Sequence, residues 1–165
     1  MLGAKAYFSV FKVFLFFVTA FLLTICCFLY AISVSWDDHY DVKRGSILWY
    51  FTMQEETITD FPIIEPYSKP KYNHIGGDAP GISIGWEIEY WSEADTTKLL
   101  SEIIPYIQRK GYKVKRINET GCSGNDIKAS DNIIIFSGSK DYQCLELIID
   151  SSEKDYSKIE AIILE

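Results

Sequence analysis

Two patterns of apolar and polar positions divide the chain. From Val13 to Trp36, VFLFFVTAFLLTICCFLYAISVSW, no residue is charged. At helical rise such a run is about 36 Å long, enough to cross a hydrocarbon layer of about 30 Å with some tilt. It exceeds the apolar core of a cleaved signal peptide, about 7–15 residues. Ile25, just before Cys26, is not the small residue expected ahead of a lipidated cysteine. The pattern predicts a single transmembrane helix at 13–36, a short segment 1–12 on one side and a domain 37–165 on the other.

Past the apolar run the clearest signal is strict alternation. Ile82, Ile84, Trp86, Ile88 and Tyr90 interleave with Ser83, Gly85, Glu87, Glu89 and Trp91, the period of a strand with one apolar and one polar face. The period then changes. In SEADTTKLLSEIIPYIQRKGY, Leu99, Ile103 and Ile107 recur at helical spacing with Leu100 and Ile104 beside them. Ser92 and Asp95 resemble a capping arrangement at its start, and Gly111 suits a left-handed close. Pro105 inside it predicts a kink or break near Ser101–Ile104.

Short β-branched runs at Tyr112–Ile117, Ile133–Gly138, Cys144–Asp150 and Lys158–Glu165, separated by turn residues, predict a meander of strands. SILWYFTMQ, Ser46–Gln54, has the aromatic composition of another strand. Between it and the alternating strand, residues 60–81 hold Pro62, Pro66, Pro70 and Pro80 with three glycines, and predict a long loop or extended arm. Its Phe61, Ile63, Ile64, Tyr67 and Tyr72 are more apolar than a solvated tail requires, so it either wraps the domain's own core or docks on a partner. The fold class expected is α+β: one main helix packed on a mainly antiparallel sheet.

Charge sharpens this reading. All 23 acidic residues follow the apolar run and two of the 16 basic ones precede it, leaving the domain 14 basic residues and a net charge of −9. Nucleic acid, which needs a basic surface, is excluded as a main partner. Lys5 and Lys12 lie before the run and Asp37, Asp38 and Asp41 after it, with Lys43 and Arg44 weakening the asymmetry. The basic flank predicts an N-terminus in the cytoplasm and a domain outside, as in a single-pass protein of a bacterial inner membrane facing the periplasm. Beyond the run only Cys122 and Cys144 remain, an even pair expected to form a disulfide in an oxidising compartment.

The candidates for chemistry are weak. GISIG, residues 81–85, fits the G-x-S-x-G pattern, but Ser83 heads an alternating strand and not a strand-to-helix elbow, and both histidines, His39 and His74, precede it. Glu87 and Glu89 are neighbours on one strand face, where carboxylates are generally solvated, while paired-carboxylate catalysis sets the groups across a substrate. No cysteine pair or histidine cluster has zinc spacing. The sequence therefore predicts no catalytic, cofactor-binding or metal residues, no small-molecule substrate and no enzyme.

What remains is a membrane-anchored binding module. Glu87, Glu89, Trp91, Tyr67 and Tyr72 are the expected partner-binding residues, acidic and aromatic groups suited to a basic protein. An immunity protein that neutralises an antibacterial toxin at the cell envelope has this layout. The alternatives are an accessory subunit of a bacterial secretion, division or transport assembly and, third, an envelope enzyme.

Overall fold

The computed structural model describes residues 3–35, 39–76, 84–119, 121 and 127–165, with side chains placed in these except for 3–11, 31–35 and 39–40. The chain divides into two units, Met1–Asp37 and Asp38–Glu165. The first is one helix, α1 (Gly3–Ser35). Its Lys12–Tyr30 stretch is long and apolar enough to cross a membrane, and its place near the N-terminus also suits a signal sequence. The Phe and Leu side chains of that stretch are exposed.

The second unit is an α+β domain. Its elements are β1 (His39–Asp41), α2 (Ile47–Thr52), α3 (Glu56–Thr59), β2 (Lys71–Ile75), β3 (Gly85–Ser92), α4 (Thr96–Arg109), β4 (Lys113–Ile117), β5 (Ile133–Lys140), β6 (Gln143–Asp150) and β7 (Ser157–Leu164). The strands form one sheet in the order β1-β2-β3-β7-β6-β5-β4. Every neighbouring pair is antiparallel. The expected meander is present as β4 to β7, and β7 closes it by pairing with β3 along eight residues, from Gly85↔Leu164 to Ser92↔Ser157.

α4 follows the amphipathic pattern. Asp95 caps it by accepting from the Lys98 amide at 2.8 Å, while Ser92 acts one step earlier, its hydroxyl receiving the Ala94 amide. Leu99, Ile103 and Ile107 are fully buried in one core with Ile88, Tyr90, Leu147 and Ile159. Each such side chain contributes about 1.5–3 kcal/mol. Pro105 does not break the helix: α4 runs through it, and both Pro105 and Ser101, whose carbonyl loses its donor, lie on the exposed face where water can take over. Gly111, at φ +99, ends it in a Schellman arrangement, with Tyr112 N donating to the Ile107 carbonyl and Gly111 N to that of Gln108.

Two expectations are corrected. Ser46–Gln54 is not a strand. Gly45, at φ +80, occupies the left-handed corner of a turn closed by Ser46 N to Lys43 O, and Ser46 then caps α2 by accepting from Trp49 N. Local capping and the packing of Leu48 and Trp49 on the core outweigh the β-propensity of ILWYF. Nor is the 60–81 segment all loop. Pro70 is followed at once by β2, an inner strand between β1 and β3 whose backbone contains no proline. The rest packs on the domain itself: Phe61 and Ile64 are buried, Tyr90 Oη donates to the Pro62 carbonyl, and Ser92 Oγ donates to the Ile64 carbonyl at 2.6 Å. Residues 77–83 lie outside the described residues, Ser83 among them.

Candidate functional site

Strand pairing decides which side chains share a face. Trp86, Ile88 and Tyr90 of β3 face the α4 core; Glu87, Glu89 and Trp91 face the other way, alongside Lys158, Glu160 and Ile162 of β7 and Glu146 of β6. The alternation of β3 identifies this second face, but not its burial. Glu87 is only 6% exposed, and Glu146, Ile148 and Ile162 are buried as well. One cause is visible in the β4–β5 connection. It doubles back through a hydrogen bond donated by Ala129 N to the Asn118 carbonyl and a Glu119↔Lys128 bridge, and the Gly121 amide donates to Oε1 of Glu146.

A charged cluster follows from the register. Glu89 pairs with Glu160 and Trp91 with Lys158, so the Lys158 ammonium reaches two carboxylates, Glu89 at 3.0 Å and Glu160 at 3.1 Å. Half-burial opposes the lysine's charge, but the hydrogen bonds and charges of Glu89 and Glu160 outweigh it and raise its pKa above the ordinary value. Glu87 is held from β2, where Asn73 Nδ2 donates to it at 3.0 Å. One oxygen each from Glu87, Glu89 and Glu160 lies within 4.8 Å of the others, a set that could converge on a hard cation. Lys158 already supplies the positive charge there, which makes the cluster a bridge between β3 and β7.

A second group lies where the 61–68 segment runs along the end of β3. Tyr67 N donates to the Trp91 carbonyl, and the Tyr67 ring stacks on Tyr156 with centroids 4.0 Å apart and 25° between planes. Tyr67 is 59% exposed. Glu93 and Asp155 border the stack, while the Glu65 carboxylate is paired with the Lys98 ammonium. Glu93 N donates to the Glu65 carbonyl, and desolvation, the contact with Tyr67 and the charges of Glu93 and Asp155 together raise the pKa of Tyr156.

The structure thus separates the residues expected to meet a partner. Tyr67 is exposed and Glu89 and Trp91 are half-buried. Glu87 and Tyr72 are buried and present no surface: Glu87 belongs to the covered face, and Tyr72 lies on the core side of β2 with its ring edge-on to Trp49. Tyr156 was missed because it stands alone in a polar turn, SSEKDYS, with nothing in its neighbourhood to pair it with Tyr67. Cys144 is disulfide-bonded, Cys26 and Cys27 are free, and Cys122 lies outside the described residues. His74 is a strand residue edge-on to Trp86, with ring centroids 6.2 Å apart. Compared with protein-family models, with curated proteins and with solved structures, the chain finds no match.

Proposed function

We propose that this chain is a membrane-anchored binding protein whose domain captures a basic protein partner through the Tyr67–Tyr156 face. The observation that carries the reading is a stacked tyrosine pair, Tyr67 exposed and Tyr156 half-buried, bordered by Glu93 and Asp155. Stacked tyrosines offer rigid contact area at low entropic cost, and neighbouring carboxylates select for lysine and arginine opposite. α1 supplies the anchor, and the net charge of −9 beyond it matches a cationic partner. Neutralisation of an antibacterial toxin at the envelope is the form of this role we favour, since a small anchored domain with one binding face needs nothing further for it.

Photocrosslinking in cells tests this. The full chain carries benzoylphenylalanine at position 67 or 156, with position 142, an exposed tyrosine in the β5–β6 turn, as control. The expected result is one adduct with a basic protein from 67 and 156 and none from 142. Equal labelling at all three positions overturns the binding face. If the adduct is a resident subunit of a membrane complex, the accessory-subunit alternative replaces the toxin-antagonist form. If it is a toxin, cells lacking this chain become sensitive to it.

A further inference from the structure

α2 packs inward through Leu48 and Trp49, yet its other side is as apolar as its inner one. Ile47 is 78%, Tyr50 74% and Phe51 70% exposed. They occupy positions i, i+3 and i+4, so the three form one contiguous outward stripe. No described residue of the domain covers it. Beside it lies a hollow lined by Lys43, Arg44, Lys69 and Lys71, with Asp41 as its one acidic group. All four basic residues are exposed, and the Arg44 guanidinium sits 5.7 Å from the Trp49 ring of α2. In a domain of net charge −9, this is a local reversal of sign next to an apolar stripe.

We infer that α2 and this basic hollow form a lipid-docking surface, with Ile47, Tyr50 and Phe51 set into the headgroup region of a bilayer and the four cations against anionic phospholipid headgroups. The inference rests on the anchoring part of the proposed function. The combination is that of an interfacial helix: an apolar stripe with an aromatic hydroxyl at its border, flanked by lysine and arginine. Three apolar side chains alone bind a bilayer weakly, and the basic residues add attraction to an anionic surface. Covalent connection supplies the rest. Only twelve residue steps separate Ser35, the last of α1, from Ile47, so a bilayer holding α1 raises the effective concentration of lipid at α2.

The test reconstitutes the full chain into vesicles of phosphatidylcholine with phosphatidylglycerol bearing a diazirine near the glycerol backbone, and maps lipid adducts by residue after illumination. Adducts are expected on α1 and on Ile47, Tyr50 and Phe51, and not on Tyr142. The α2 adducts should fall several-fold when the diazirine is carried by phosphatidylcholine in vesicles lacking anionic lipid, and also in the full-length triple variant Lys43→Gln, Lys69→Gln, Lys71→Gln. Labelled α1 with unlabelled α2 overturns the docking surface and leaves anchoring intact. An unlabelled α1 overturns both. Benzoylphenylalanine at position 50 that cross-links a second copy of the chain, or another protein, in place of lipid also overturns it.

Discussion

The indole nitrogen of Trp86 donates a 2.7 Å hydrogen bond to the carbonyl of Thr52, the last residue of α2. The contact crosses from β3 to a helix that precedes it by more than thirty residues. It satisfies a terminal carbonyl that α2 cannot pair internally. It also fixes how a helix too short to be stable alone sits on the sheet.

Replacing Trp86 with Phe keeps most of the buried ring and removes the donor. The expected cost is about 1 kcal/mol, the net worth of a hydrogen bond whose acceptor is only partly buried. Faster hydrogen exchange at the α2 amides should accompany it. A denaturation midpoint equal to that of the parent, with unchanged exchange at α2, would refute this role.

The tyrosines set a limit on the alkaline side. Burial pushes Tyr90 up to about 12 from its ordinary 10.0. Burial likewise raises Tyr106 and Tyr112, and raises Tyr72 with Arg44 acting against it. Each holds its proton more tightly folded than unfolded, so above pH 10 the native state binds more protons than the unfolded one. The stabilisation is complete below that value and is lost as pH climbs through the folded-state values. The urea midpoint should hold steady up to about pH 9 and drop between about pH 10 and 12, tracking tyrosinate absorbance. A midpoint flat across that window would contradict the burial assigned to these phenols.

Lys158 gives a third expectation. Lys158→Met strips the cation from a half-buried cluster in which oxygens of Glu87, Glu89 and Glu160 lie within 4.8 Å. At neutral pH this should destabilise the domain by about 1–3 kcal/mol, less than a fully buried pair would lose. Lys98→Met, which breaks an exposed and solvent-screened pair with Glu65, should shift the midpoint far less. Equal effects from the two variants, measured by urea denaturation at neutral pH, would show that the cluster does not bind β3 to β7.

Much of the domain was legible in its periodicities. The α4 stripe, the Gly111 stop, the alternation of β3 and the late strands all follow from local spacing, because each buries a face whose period the sequence displays. α2 was not, since in ILWYF every position is apolar and no period can be read. Its signals were Gly45 and Ser46, which precede the segment. β2 was hidden by the prolines around it, although none falls inside KYNHI. The charged cluster was the least visible part. Glu87 and Glu89 read as solvated because the partners that bury or neutralise them, Asn73, Lys158 and Glu160, come from strands far away in sequence. The Tyr67–Tyr156 stack is non-local for the same reason.

The position of β7 carries one more consequence. It is the latest strand in chain order, yet it is the seam of the sheet, with β3 on one flank and β6 on the other. Until Ser157–Leu164 has been synthesised and is free to insert, the hairpin side built from β1 to β3 and the meander from β4 to β6 share no backbone ladder, and two edges stand open. Assembly of the sheet therefore waits on β7, and a nascent chain halted before residue 157 would present unpaired strands to whatever chaperone or translocation channel holds it.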